Sequence, residues 1–188
     1  MTPTNPPRHG PTKRTGQRRG LVLLFTGDGK GKTTAALGLL LRAHGRGLRT
    51  ALYQFIKRQD AQFGEHHALD TLHIPHAGLG DGFSWRSHDL EQSRAIAAQG
   101  WLAAKTAILG GGHDLVVLDE ITYPITWGWI DLHDILDTLK QRPPSQHVVL
   151  TGRDADPALI ELADTVTDMR KLKHAFDADV PAQRGIEH

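Results

Sequence analysis

The chain has 188 residues, 39% hydrophobic and 23% charged, which suffices for one well-buried domain and is short for two. It has no cysteine, excluding disulfides and cysteine-ligated metals, and no apolar run approaches the ~18 to 20 residues of a membrane-spanning helix. The net charge of +1 conceals an asymmetry: residues 1–19 carry Arg8, Lys13, Arg14, Arg18 and Arg19 and no acid, leaving 17 basic against 21 acidic residues in the rest, a balance that argues against a nucleic-acid-binding face.

Residues 1–19, rich in Pro, Gly and Thr, read as a flexible basic arm ahead of a single domain over 20–188. The arm has no apolar centre of the signal-peptide kind, so a cytoplasmic protein is expected. From Gly20 onward, short apolar runs alternate with longer amphipathic stretches, the pattern of an α/β fold with a mostly parallel sheet flanked by helices. Residues 21–25 ("LVLLF") read as a buried strand, and "KTTAALGLLLRAHGRG" as a helix ended by Gly45 and Gly47.

Between them lies "GDGKGKTT", residues 27–34. A strand, a Gly-rich turn and a helix N-terminus together form an anion nest, with backbone N–H groups turned inward. Lys32 is suited to reach phosphate oxygens and the Thr33 hydroxyl to hold Mg²⁺. The reading is a nucleotide site formed by Gly27, Asp28, Gly29, Lys30, Gly31, Lys32, Thr33 and Thr34, rather than a turn with an incidental lysine. The loop is one residue shorter than the usual pattern, since only Asp28, Gly29 and Lys30 separate Gly27 from Gly31.

Further strands are expected at 48–56, at "TLHIP" (71–75), at 114–120, 147–152 and 164–170, with helices at 64–70, 87–109, near 131–140 and at 157–163. In the long helix Ala97, Ala98, Trp101, Ala104 and Ile108 share one face. The run "LVVLDE" ends in Asp119 and Glu120, and strand ends of a parallel sheet open on the same crevice as the phosphate loop. Either carboxylate is placed to complete a metal shell begun by Thr33. Arg153, Lys57 and Arg58 follow strand ends and are basic candidates for the crevice. Residues 76–89 put Phe83 and Trp85 in a Gly-rich loop, which suits a flat apolar second substrate. The twelve histidines, including His66, His67, His73 and His76, read as surface or packing residues without a metal role.

At this point the sequence resembles the phosphate-loop corrinoid adenosyltransferases. The resemblance rests on the shortened loop, "QFIK", "GDGFSW", "LVVLDE", "TGRDADPALIELADTVTDM" and "KHAFDADVPAQRGIEH", in that order. It implies a phosphate-loop, RecA-like fold. It also implies transfer of the 5′-deoxyadenosyl group of ATP to cobalt(I) of a corrinoid, with Mg²⁺ or Mn²⁺ present and triphosphate released, in adenosylcobalamin biosynthesis or salvage. The short loop fits the family's inverted nucleotide, which presents C5′ to the crevice. The catalytic set implied is Lys32, Thr33 and Glu120, with Arg153 on phosphate and Thr33 with Asp119 or Glu120 on the metal. Phe83 and Trp85 match aromatics that pack under the corrin and displace its lower ligand, so that a flavoprotein can reduce cobalt(II). Homodimers, and an N-terminal segment folding over the corrinoid, are also implied. Arg58, Asp179 and His188 depart from the family pattern. A phosphate-loop ATPase or small-molecule kinase, and a non-catalytic carrier, are the other readings; the phosphate product separates all three.

Overall fold

Alternation along the strands sets the two sides of the molecule, because successive strand residues point to opposite faces. In the strand Leu115–Asp119, Val116 and Leu118 belong to one apolar cluster while Leu115 and Val117 belong to another, and all four are buried. This two-sided burial is what a parallel sheet covered by helices on both faces requires. The computed structural model describes residues 16–58, 60, 63–82 and 90–187.

The elements run β1 (Val22–Thr26), α1 (Lys32–His44), β2 (Thr50–Arg58), α2 (Gly64–Thr71), β3 (His76–Gly80), α3 (Leu90–Leu109), β4 (Leu115–Asp119), α4 (Thr122–Thr126), α5 (Leu132–Gln141), β5 (His147–Thr151), α6 (Pro157–Leu162) and β6 (Thr165–Asp168). The six strands form one sheet in the order β3-β2-β4-β5-β1-β6, every pair parallel. On one face α3, α5 and α6 bury Trp101, Ala104, Ile108, Ile135, Leu139 and Leu159. On the other, α1 and α2 contribute Ala36, Leu40, Ala43 and Leu69. Short apolar strands and amphipathic helices thus give the α/β phosphate-loop fold expected.

Local chemistry fixes the helix starts. Asp131 caps α5 by accepting from His133 N, and Asp156 caps α6 by accepting from Ala158 N at 2.8 Å, with Pro157 in the first turn. One strand expectation fails. Residues 71–75 close α2 and turn, with His73 at φ 55, and the strand begins at His76. The β-branched and apolar residues of "TLHIP" are used for capping instead: Ile74 N donates to Leu69 O at 2.9 Å and Ile74 is buried in the core. Helix α4, which carries Pro124, was not foreseen.

The N-terminal strand ends are clipped together away from the loops. Asp114 accepts from Arg49 Nε, from Arg49 N at 2.9 Å and from its guanidinium Nη2 at 2.9 Å. These bonds hold the Asp114 carboxyl down to about 2. A depressed carboxyl contributes stability that is complete above its unfolded value of 3.8 and is lost as pH falls through about 2. The pair is largely exposed, so the effect is small. We expect Asp114→Asn to lower the melting temperature at pH 7 by ~2 °C, with the difference from wild type vanishing below about pH 2; a gap that persists there would mean packing, not charge, is lost. At the same end, Arg19, within the expected arm, pairs with Asp164, while residues 1–15 lie outside the described residues.

Candidate functional site

The C-terminal ends of the strands carry the functional residues, as a parallel sheet dictates. The loop from β1 to α1 turns through Gly27 at φ +93 and Gly31 at φ +114, backbone that an L side chain rarely adopts. A Cβ on Gly27 would lie 2.0 Å from Asp168 Oδ1, so the loop sits directly against the end of β6. Gly29 N donates to Met169 O at 2.5 Å, bracing the loop at its centre. Gly31 caps α1 with no side-chain bond, which leaves the N–H groups at that terminus facing the cleft.

Lys32 Nζ folds over the loop and donates to Gly27 O at 2.6 Å and Gly29 O at 2.7 Å. Burial, then the neighbouring Arg153, hold its ammonium below the ordinary lysine value. Residues 28–34 line a cleft of about 650 Å³ together with Lys57, Glu120 and Arg153. Gly27 and Arg153 also border an adjoining cleft of about 530 Å³ with Arg170 and Lys171. The structure therefore brings the predicted loop, Lys32, Thr33, Thr34, Glu120 and Arg153 together.

It separates the two carboxylates. Asp119 is fully buried: Oδ2 accepts from Gln54 Nε2 at 3.0 Å and Oδ1 from Thr151 Oγ1 at 2.7 Å. Glu120 turns out of the strand at φ 61 and faces the cleft, its N–H donating to Thr151 Oγ1 at 2.8 Å. Burial, and then the charge of Asp119, push its carboxyl up to about 7. Thr33, Glu120 and phosphate oxygens would make a hard oxygen shell suited to Mg²⁺ or Mn²⁺, which take few protein ligands at such sites. Among the described residues no group of three or more His, Asp or Glu is arranged to hold a metal by itself.

Of the basic candidates, Lys57 lines the cleft and pairs with Glu65, whereas Arg58 pairs with Asp60. Phe83 and Trp85 lie outside the described residues; the preceding Gly82 donates its N–H to Ile56 O at 3.1 Å, at the cleft end of β2. Sequence reasoning missed two parts of the site. Tyr123 on α4 lines the cleft and starts a row of mutually tilted rings with Trp127 and Trp129, at 5.5 and 4.7 Å between successive ring centroids. The C-terminal segment, with a 3₁₀ turn at Ala175–Ala178, returns over the loop: His174, Phe176 and Ile186 line the cleft, and Glu187 pairs with Lys30 at 3.3 Å. Its run of Asp, Pro and Gly carries no periodic signal that would place it there. Behind the cleft lining His66 is buried and bonded to Gln54 at 2.6 Å, a packing histidine as expected.

Comparison with known proteins agrees with this geometry. The family described as "ATP:corrinoid adenosyltransferase BtuR/CobO/CobP" matches residues 18–188. A corrinoid adenosyltransferase of Escherichia coli K12 is 39% identical over 170 residues, covering 90% of this chain and 86% of that protein. The corrinoid adenosyltransferase CobA of Salmonella typhimurium is 38% identical over 172 residues, covering 92% and 87%. Among solved structures, the flagellar accessory protein FlaH from Methanocaldococcus jannaschii superposes with a TM-score of 0.55 at 9% identity, over 81% of this chain and 72% of that one, a likeness of fold alone. No helix among the described residues is long and apolar enough to cross a membrane.

Proposed function

Since the chain belongs to the ATP:corrinoid adenosyltransferase family, and adenosylates corrinoids with ATP in cobalamin biosynthesis or salvage, we propose how its cleft performs the transfer. Cobalt(I) of the corrinoid attacks C5′ of ATP. The cobalt–carbon bond forms as the C5′–O bond breaks, and triphosphate leaves intact with the bonding pair. Cobalt(I) is nucleophilic enough to need no protein base, so the protein's work is alignment and charge stabilisation.

One observation carries this reading: the loop N–H groups, Lys32, Thr33, Glu120 and Arg153 border a single cleft. The loop of residues 27–33 cradles the triphosphate, Lys32 and Arg153 stabilise the charge that grows on it, and Thr33 with Glu120 holds Mg²⁺. Bound there, the ion supplies further neutralisation of the leaving group. Asp119, fully buried behind the cleft lining, supports that shell from behind. The protein works in the cytoplasm as a homodimer and takes electrons from a flavoprotein. Residues 20–188 form the catalytic domain.

The test is an anaerobic assay with chemically reduced cob(I)alamin, Mg²⁺ and ATP. Adenosylcobalamin with triphosphate is the expected product pair; ADP or phosphate would overturn the proposed bond cleavage. Phe83 and Trp85, by their match to the family's aromatics, are assigned to the lower face of the corrin. Phe83→Ala or Trp85→Ala is then expected to slow turnover from cob(II)alamin with a flavin reductant by ~10²-fold, and from prereduced cob(I)alamin by only a few-fold. Equal losses in the two assays would remove the ligand-displacing role.

A further inference from the structure

Beneath the cleft runs a chain of buried polar side chains that the reaction as proposed does not use. Gln54, on β2, lies opposite Asp119 in the sheet register, and Thr151 ends β5, which separates β4 from the phosphate-loop strand. Gln54, Asp119 and Thr151 are each at most 1% exposed, and His66 on α2 is 5% exposed. Buried polar groups of this kind are retained only with their partners in place.

The direction of each bond can be worked out. A carboxylate only accepts, so Gln54 must turn its amide nitrogen to Asp119 Oδ2 and its carbonyl oxygen to His66. His66 therefore carries its proton on Nε2. On the other side Thr151 donates to Asp119 Oδ1, which leaves its oxygen free to accept the Glu120 N–H. Every donor points towards Asp119, and the far end of the chain holds Glu120 in a left-handed conformation that a glutamate adopts only when held.

We propose that Gln54 and His66 are positioning residues: through Asp119 and Thr151 they fix the backbone of Glu120, and with it the carboxylate that faces the phosphate loop. The inference rests on Glu120 serving the metal side of the site. His66 also ties the chain to α2, whose Glu65 lines the cleft and pairs with Lys57.

Three measurements test it. In wild-type protein, ¹⁵N NMR should show His66 protonated at Nε2; the Nδ1 tautomer would overturn the chain. Mn²⁺ binding in the presence of ATP, read by EPR, should weaken by ~10-fold or more in Gln54→Leu and His66→Leu, with kcat falling in parallel and the corrinoid KM unchanged. His66→Gln, whose side-chain amide can donate from the Nε2 position, should recover most of that loss. Wild-type Mn²⁺ affinity in a folded Gln54→Leu protein would overturn the proposal. Should Gln54→Leu fail to fold, equal Mn²⁺ affinity in His66→Gln and His66→Leu would overturn it instead. Absence of adenosyl transfer by the wild-type protein would sink the functional reading separately, and the tautomer and Mn²⁺ affinities would still judge the chain.

Discussion

Lys32→Ala is expected to lower the rate of adenosyl transfer by ~10³-fold, the scale on which loss of one preorganised donor to a developing anion is felt. The reaction expels a triphosphate, so charge accumulates on the oxygen leaving C5′ and on its phosphate neighbours. Lys32 is placed for it: its ammonium lies between the carbonyls of Gly27 and Gly29, at the centre of the loop. Burial and Arg153 already press it towards its neutral form, so an arriving polyanion restores a favourable environment rather than merely adding a contact. The fold does not depend on it, because both bonds are to the loop itself, and the melting temperature should be nearly unchanged. Lys32→Arg should recover little, since a planar fork does not fit where a point charge reaches between two carbonyls. Stopped-flow decay of cob(I)alamin at saturating ATP gives the answer; a Lys32→Ala rate within tenfold of wild type would remove this residue from the leaving-group role.

What the sequence allowed to be foreseen divides along a physical line. The strands, α1, α3 and the phosphate loop were legible because their signals are local: period-two and period-3.6 apolar patterns, and glycines at Gly27 and Gly31 whose backbone only glycine adopts easily. Glu120 and Arg153 were legible because a parallel sheet collects its strand ends on one edge. "TLHIP" misled because a short β-branched run also serves to finish a helix, and Ile74 caps α2 while filling the core. Tyr123 was hidden by Pro124, which reads as a breaker, although proline is tolerated in the first turn of so short a helix as α4. The pairing of Glu187 with Lys30 joins residues far apart along the chain, and that of His66 with Gln54 joins a helix to the strand before it. No spacing rule announces such contacts.

The distinction between Asp119 and Glu120, left open by sequence, leads to the second large effect. Glu120→Gln keeps shape and removes charge, and is expected to reduce kcat/KM by ~10²-fold or more, with the Mg²⁺ concentration for half-maximal rate rising alongside. Glu120→Gly separates function from structure more sharply. Glutamate at φ 61 is strained, costing about 1 kcal/mol relative to glycine, and its carboxylate is crowded against Asp119 in a half-buried place. Glycine relieves both, so the variant should melt ~2 °C higher than wild type while losing transfer activity. A residue kept for the fold would behave in the opposite way. Thermal unfolding and the cob(I)alamin assay on the same preparation decide it: a protein both less stable and still active would show that Glu120 is held in its unfavourable backbone conformation for packing and not for the metal.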